Sequence, residues 1–191
     1  AVENFTQSAG SGTTTFNGAF TVAAGFDYTG ANLTVTGAGA NDVATTMEVS
    51  NTGTFQLDTG STLTVGTFTQ NGTGANTIGD DITADIGGIT FAETVTLNSS
   101  AADEMVILTG AGGAGDDITF SDTGNSLLIT DNENLTLVAG ASGDITVQGA
   151  LNQGTKGDLT ITSAVDSTFN GTVAVENFTQ SAGSGTTTFN G

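Results

Sequence analysis

One short pattern of apolar and polar positions recurs along the chain: an apolar residue, usually a Thr, then another apolar residue. It appears as Phe20-Thr21-Val22, Leu33-Thr34-Val35, Phe55-Gln56-Leu57, Leu63-Thr64-Val65, Ile89-Thr90-Phe91 and Val95-Thr96-Leu97. It continues as Ile118-Thr119-Phe120, Leu135-Thr136-Leu137, Ile145-Thr146-Val147, Leu159-Thr160-Ile161 and Val173-Ala174-Val175. Side chains alternate across a strand, so both apolar members point one way and the central residue points the other. Each triplet therefore predicts a strand with one dry face and one wet face. No segment keeps a helical apolar period over three turns. The least strand-like stretch is Ala101 to Leu108, where Asp103-Glu104 precede Met105-Val106-Ile107-Leu108; it reads as a buried strand with a charged corner.

Turn-forming stretches separate the triplets, among them Thr36-Gly37-Ala38-Gly39, Gly72-Thr73-Gly74-Ala75-Asn76 and Gly140 to Gly143. Strands this short do not hold together as isolated hairpins. They become stable when each turn of chain stacks on the one before, so that every strand is paired above and below and the apolar members form continuous internal rows. That arrangement is an all-β parallel β-solenoid. Three short strands and their corners take roughly 18 to 22 residues. Phe169-Asn170-Gly171 recurs at Phe189 to Gly191, a spacing that fits one rung. Gly79-Asp80-Asp81-Ile82-Thr83 recurs at Gly115 to Thr119, read as two rungs on, and Phe5-Thr6-Gln7 recurs at Phe68 to Gln70, read as three.

Ala1 to Gly18 is repeated letter for letter at Ala174 to Gly191. Convergence on a rung consensus gives only similarity: Phe5 to Phe20 against Phe68 to Thr83 matches at four of sixteen positions. Identity over the whole segment therefore indicates a duplicated, tandem unit. Residues 1–191 read as a single elongated solenoid segment cut from a longer polypeptide, since the sequence opens without Met and closes inside a repeat. A 173-residue unit predicts about nine rungs of roughly 19 residues, or about 43 Å of axis. If that count is whole, the two copies occupy equivalent faces.

Charge narrows the partners. Twenty acidic residues face one cation, Lys156, giving a net charge of −19. Phosphate backbones are held by several Lys or Arg contacts, so nucleic acid is excluded. Anionic membrane surfaces are excluded for the same reason, and no apolar run has the length of a membrane-spanning helix. With no Cys, Pro, Trp or His, there are no disulfides, and stability rests on repetition of packed strands. Several of the eleven Phe residues recur at corner-like places, such as Phe5, Phe16, Phe68, Phe169 and Phe178, and predict stacked aromatic ladders inside the core. An aromatic platform for sugar is the sharper alternative, with Tyr28 the single Tyr.

Passages such as Gly143-Asp144-Ile145-Thr146-Val147-Gln148-Gly149-Ala150-Leu151-Asn152 and Gly157-Asp158-Leu159-Thr160-Ile161-Thr162-Ser163-Ala164 resemble the bacterial filamentous-haemagglutinin-like and autotransporter passenger proteins. The likeness covers essentially the whole chain and is compositional and periodic. It implies a right-handed β-helix at the cell surface, working as fibre, stalk or adhesin. The long verbatim repeat departs from those families, and no secretion domain is recognisable.

No enzyme is predicted. Nucleophile triads need a base such as His, and the chain has none. Glycoside hydrolysis needs a positioned carboxylate pair, and adjacent strand residues point to opposite faces, so such a pair would come from different rungs. No cofactor is required, and Ca2+ is the ligand that the carboxylates suggest, at Asp80, Asp81, Asp116, Asp117 and Asp122. Gly112-Gly113-Ala114-Gly115-Asp116-Asp117 matches the front of a Gly-rich calcium nonapeptide but lacks the apolar eighth position and a following copy. Thr-x-Thr ranks at Thr34/Thr36, Thr62/Thr64, Thr67/Thr69, Thr94/Thr96 and Thr160/Thr162 raise ice binding as an alternative. Asn-x-Ser/Thr acceptors occur at Asn4, Asn32, Asn71, Asn98, Asn134, Asn170 and Asn177.

The expectation drawn from all this is a structural repeat unit of an extracellular or cell-surface filament, stalk or coat. Its partners are copies of itself and, in the adhesive alternative, surface polysaccharide, ice or a host surface. Tandem β-sandwiches are the competing fold.

Overall fold

The computed structural model describes residues 1–99, 104–109, 116–129, 133–153 and 157–191. Their strands are short and every pairing between them is parallel, so the chain is a parallel β-solenoid. Ten of the eleven apolar-polar-apolar triplets overlap strands; Val173-Ala174-Val175 keeps only a bridge from Val173 to Leu151. Glu104–Thr109 is a strand, as its apolar run predicts, while Asp103, Lys156 and residues 112–115 lie outside the described residues.

Each rung visits three faces in a fixed order. Face 1 stacks Phe5–Gln7, Phe26–Gly30, the second halves of Asn41–Asn51 and Leu63–Gln70, then Ile89–Phe91, Ile118–Phe120, Ile145–Val147, Ser167–Phe169 and Thr187–Phe189. Face 2 stacks Thr13–Phe16, Asn32–Val35, Phe55–Leu57, Asn76–Ile78, Val95–Leu97, Asn125–Ile129 and Ala150–Gln153. Face 3 stacks Thr21–Val22, the first halves of Asn41–Asn51 and Leu63–Gln70, then Ile82–Ala84, Glu104–Thr109, Asn134–Val138, Leu159–Ser163 and Phe178–Gln180. Because Asn41–Asn51 and Leu63–Gln70 run around the corner without a break, faces 3 and 1 merge into one 15-stranded sheet, and face 2 is a separate 7-stranded sheet. Gly66 makes that corner feasible: a Cβ there would stand 2.3 Å from the Thr45 carbonyl oxygen of the rung below.

The first four turns on face 1 are equal in length, from Phe5 through Phe26, Met47 and Phe68 to Ile89. The next two, to Ile118 and then Ile145, are longer, and the last two, to Ser167 and Thr187, shorten again. The molecule thus has about eight turns where the sequence predicts nine shorter ones, because the corners are longer than the triplets suggest. The turn from face 2 to face 3, for example, holds Thr36 to Ala40, with Gly39 at a φ of 126°. Phe5 and Phe68 are three rungs apart on face 1, as their spacing predicts. The Gly-Asp-Asp-Ile-Thr pair does not span two rungs: Ile82 is on face 3 and Ile118 on face 1.

The apolar members of the triplets point inward and are fully buried, as at Leu33, Val35, Ile89, Phe91, Ile145 and Val147. All eleven Phe rings meet other Phe rings in three groups. Phe5, Phe16, Phe20 and Phe26 form one end, Phe55, Phe68, Phe91 and Phe120 the middle, and Phe169, Phe178 and Phe189 the other end. Inward Tyr28 is also fully buried, its hydroxyl donating to the Asn32 carbonyl at 2.7 Å. A buried polar corner forms where Gln70 Nε2 donates to Asn51 Oδ1 (2.8 Å) and Gln70 Oε1 accepts from the Ala92 amide (3.0 Å).

Candidate functional site

Stacking turns sequence repeats into surface columns. On face 1 the outward residues Thr69, Thr90, Thr119, Thr146, Thr168 and Thr188 are register partners in consecutive rungs, forming one half-buried column of threonines. The Thr-x-Thr ranks singled out in the sequence do not join it as pairs. Thr34 and Thr96 lie on face 2, Thr64 and Thr160 on face 3, and Thr67 and Thr69 on face 1. They form no common two-column rank.

A second column runs beside the threonines at the residue that enters the strands Ile118–Phe120, Ile145–Val147 and Ser167–Phe169. Asp117 Oδ1 accepts from the Asp144 amide (2.8 Å), Asp144 Oδ1 from the Asp166 amide (2.9 Å), and Asp166 Oδ1 from the Thr186 amide. Asparagine does the same elsewhere: Asn4 Oδ1 accepts from the Gly25 amide on face 1, Asn32 Oδ1 from the Thr54 amide on face 2, and Asn134 Oδ1 from the Asp158 amide on face 3. A carboxylate or amide oxygen at this point satisfies a backbone donor of the following rung that the short strand leaves unpaired. The sequence carried the signal as an Asp or Asn immediately before an apolar residue and Thr, as in Asn32-Leu33-Thr34, Asp117-Ile118-Thr119 and Asn134-Leu135-Thr136. Its meaning depends on which residue lies one rung on, and sequence spacing alone does not show that.

This placement bears on the calcium candidates. Asp80 and Asp81 enter face 3 in the fourth rung, whereas Asp116 and Asp117 enter face 1 in the sixth, so the two pairs are not brought together. Asp80 Oδ1 caps the Asp81 amide (2.8 Å), and its other oxygen accepts from the Gly60 amide. Asp116 is buried, and Asp117 serves the ladder. Asp122, past the end of the same face 1 strand, accepts from the Gly124 amide (2.8 Å) and the Thr94 hydroxyl (2.5 Å). Among the described residues there is no group of three or more His, Cys, Asp or Glu that could hold a metal ion.

Asp27 and Glu48 are a further pair of carboxylates on adjacent rungs, outward register partners on face 1. They line a shallow depression of about 190 Å³ with Asn4 and Thr46, and Glu48 accepts from the Asn71 side-chain Nδ2. This is the inter-rung pairing that strand geometry requires of any carboxylate pair. Among the described residues the large aromatic side chains are turned inward, with Phe189, at 50% exposure, open to solvent at the last strand. No described helix is long and apolar enough to cross a membrane.

The fold and these columns define the class: a β-solenoid whose surface is a set of hydrogen-bonded ladders. Comparison with protein-family models, curated proteins and solved structures finds no match.

Proposed function

We propose that the chain is a structural repeat segment of a long filament, stalk or surface coat outside the cell, built by stacking rungs of its own unit. One observation carries this reading: on face 1 the parallel pairing runs from Phe5–Gln7 to Thr187–Phe189 through every rung without interruption. Uninterrupted pairing supplies length and stiffness, which is what a fibre uses, whereas a catalytic or binding function needs one constellation at one place. The acidic exterior of a −19 chain keeps neighbouring fibres hydrated and apart. Electron microscopy of the native assembly tests the proposal. A continuous rod with an axial repeat of about 4.8 Å is expected, and separate beads about 40 Å apart would overturn it.

The adhesive alternative draws on the face 1 threonine column, a flat rank of hydroxyls and methyls repeating at strand spacing. Thermal hysteresis or saturable glycan binding by the folded chain would favour it over the fibre.

A further inference from the structure

The identical segments at Ala1 to Gly18 and Ala174 to Gly191 make the same local structure on different faces. In the first, Phe5-Thr6-Gln7 is on face 1 and Thr13–Phe16 on face 2. In the second, Phe178–Gln180 is on face 3 and Thr187–Phe189 on face 1. The corner between the strands is nevertheless reproduced. Thr14 Oγ1 donates to Gln7 Oε1, and Thr187 Oγ1 donates to Gln180 Oε1. Phe5 and Phe16 meet edge to face at 5.3 Å and 71°, and Phe178 and Phe189 at 5.2 Å and 79°. The expectation that the copies share a face is therefore overturned: from Phe5 to Phe178 the chain advances seven full rungs and two further faces.

The backbone groups that the two copies use are disjoint. Toward the following rung, the first copy uses the Phe5 amide (to Gly25, 3.1 Å) and the carbonyls of Glu3 (from Ala24, 2.8 Å), Gly10 (from Ala31, 2.8 Å) and Phe16 (from Thr36, 2.9 Å). Toward the preceding rung, the second copy uses the amides of Glu176 (to Gly157, 2.9 Å), Gly185 (to Val165, 2.9 Å) and Asn190 (to Phe169, 2.9 Å), and the Asn177 carbonyl (from Leu159, 2.9 Å). These second-copy groups correspond to Glu3, Gly12, Asn17 and Asn4 of the first copy, and no donor or acceptor among them is claimed twice. One copy can hold both neighbours at once. The Gly-Asp-Asp-Ile-Thr motif, on face 3 at Ile82 and face 1 at Ile118, shows again that the faces accept the same sequence.

We propose that successive units, joined through the segment they share, continue one seamless solenoid in which each unit is turned by one face relative to the last. The occupant of the Phe178–Gln180 and Thr187–Phe189 edges is then the next copy of the residues that follow Gly18. Features of face 1, such as the threonine column and the Asp27/Glu48 pair, pass to face 3 in the second unit, face 2 in the third and back to face 1 in the fourth. Each unit advances about 37 Å and the surface repeats after three units, about 110 Å. A fibre of this kind presents the same surface in three directions from one repeated sequence. This inference rests on the fibre reading.

Cysteine cross-linking in the chain itself tests the rotation, with no native Cys to interfere. Thr160 and Thr179 are outward register partners on face 3, so Thr160→Cys/Thr179→Cys is expected to form a disulfide on mild oxidation. Thr168→Cys/Thr179→Cys is expected not to, while Thr168→Cys/Thr188→Cys, partners on face 1, is the positive control. Cross-linking of Thr168→Cys to Thr179→Cys would put Phe178–Gln180 on face 1 and overturn the rotation, whatever the assembly looks like. A three-unit chain labelled at the residue equivalent to Thr6 in each unit supplies the second measurement. Labels projecting in three directions support the proposal, and labels in one line overturn it. Separate beads with the Thr160/Thr179 cross-link intact would instead remove the fibre reading.

Discussion

Phe91 and Phe120 lie stacked on neighbouring rungs, ring centroids 5.7 Å apart and planes within 9° of parallel. Both rings are fully buried and stand at the third position of an apolar-Thr-apolar triplet, and their strands are paired residue for residue. The ladder is therefore a direct consequence of register: once Ile89 meets Ile118, Phe91 is carried onto Phe120.

Truncating this stack should be costly. Phe91→Ala removes a ring that also touches Phe68 at 5.1 Å, leaving a cavity between three rungs. A loss of about 3–5 kcal/mol is expected in denaturant unfolding. A loss under about 1 kcal/mol would mean that the ladder does not carry the core.

The entry ladder separates acceptor from charge. Asp144→Ala deletes the oxygen that accepts from the Asp166 amide and should cost about 1 kcal/mol, whereas Asp144→Asn keeps an acceptor and should cost much less. Equal losses in thermal or urea melts would show that the hydrogen bond is not the reason for an Asx at this position.

Close approach at the corner makes Gly66 a sharp test. Gly66→Ala places its methyl carbon against the Thr45 carbonyl and should destabilise by about 1–3 kcal/mol. Gly12→Ala, where an added carbon meets nothing within 4 Å, should stay within about 0.5 kcal/mol of the parent.

Burial raises the Tyr28 pKa above 10.0, with hydrogen bonds to Thr14 and Gln7 pulling the other way. The folded chain thus favours the neutral phenol more than the unfolded chain does. That stabilisation is complete below the unfolded pKa of about 10 and is lost as pH rises through the higher folded value. Melting temperatures of the parent should fall more steeply above about pH 10 than those of Tyr28→Phe. Parallel curves would show that the phenol does not contribute.

Much of the fold was legible because the period-two alternation in triplets such as Ile118-Thr119-Phe120 determines which side chains are buried, whatever the neighbours. The inward Phe residues followed from the same rule, and the strand at Glu104–Thr109 from its continuous apolar run. The candidate site was less legible. Asp117 and Asp144 are far apart in the sequence, and their contact exists only because the intervening rung has the length it does. The carboxylates read as calcium ligands prove to be spread over two faces, with Asp117 bonded to the next rung, and a linear list of acidic residues does not carry that information.

Ala1 to Gly18 shows where the division falls. Its sequence by itself determined the strand-corner-strand unit, since short-range packing of Phe5 on Phe16 and the Thr14–Gln7 hydrogen bond recur wherever the segment is placed. Which faces it occupies was decided only by tertiary structure. Rung length accumulates along the chain through turns of unequal size, and the sum fixes the face on which Ala174 arrives. Local interactions are blind to that sum, so identical sequences end on different faces of one solenoid.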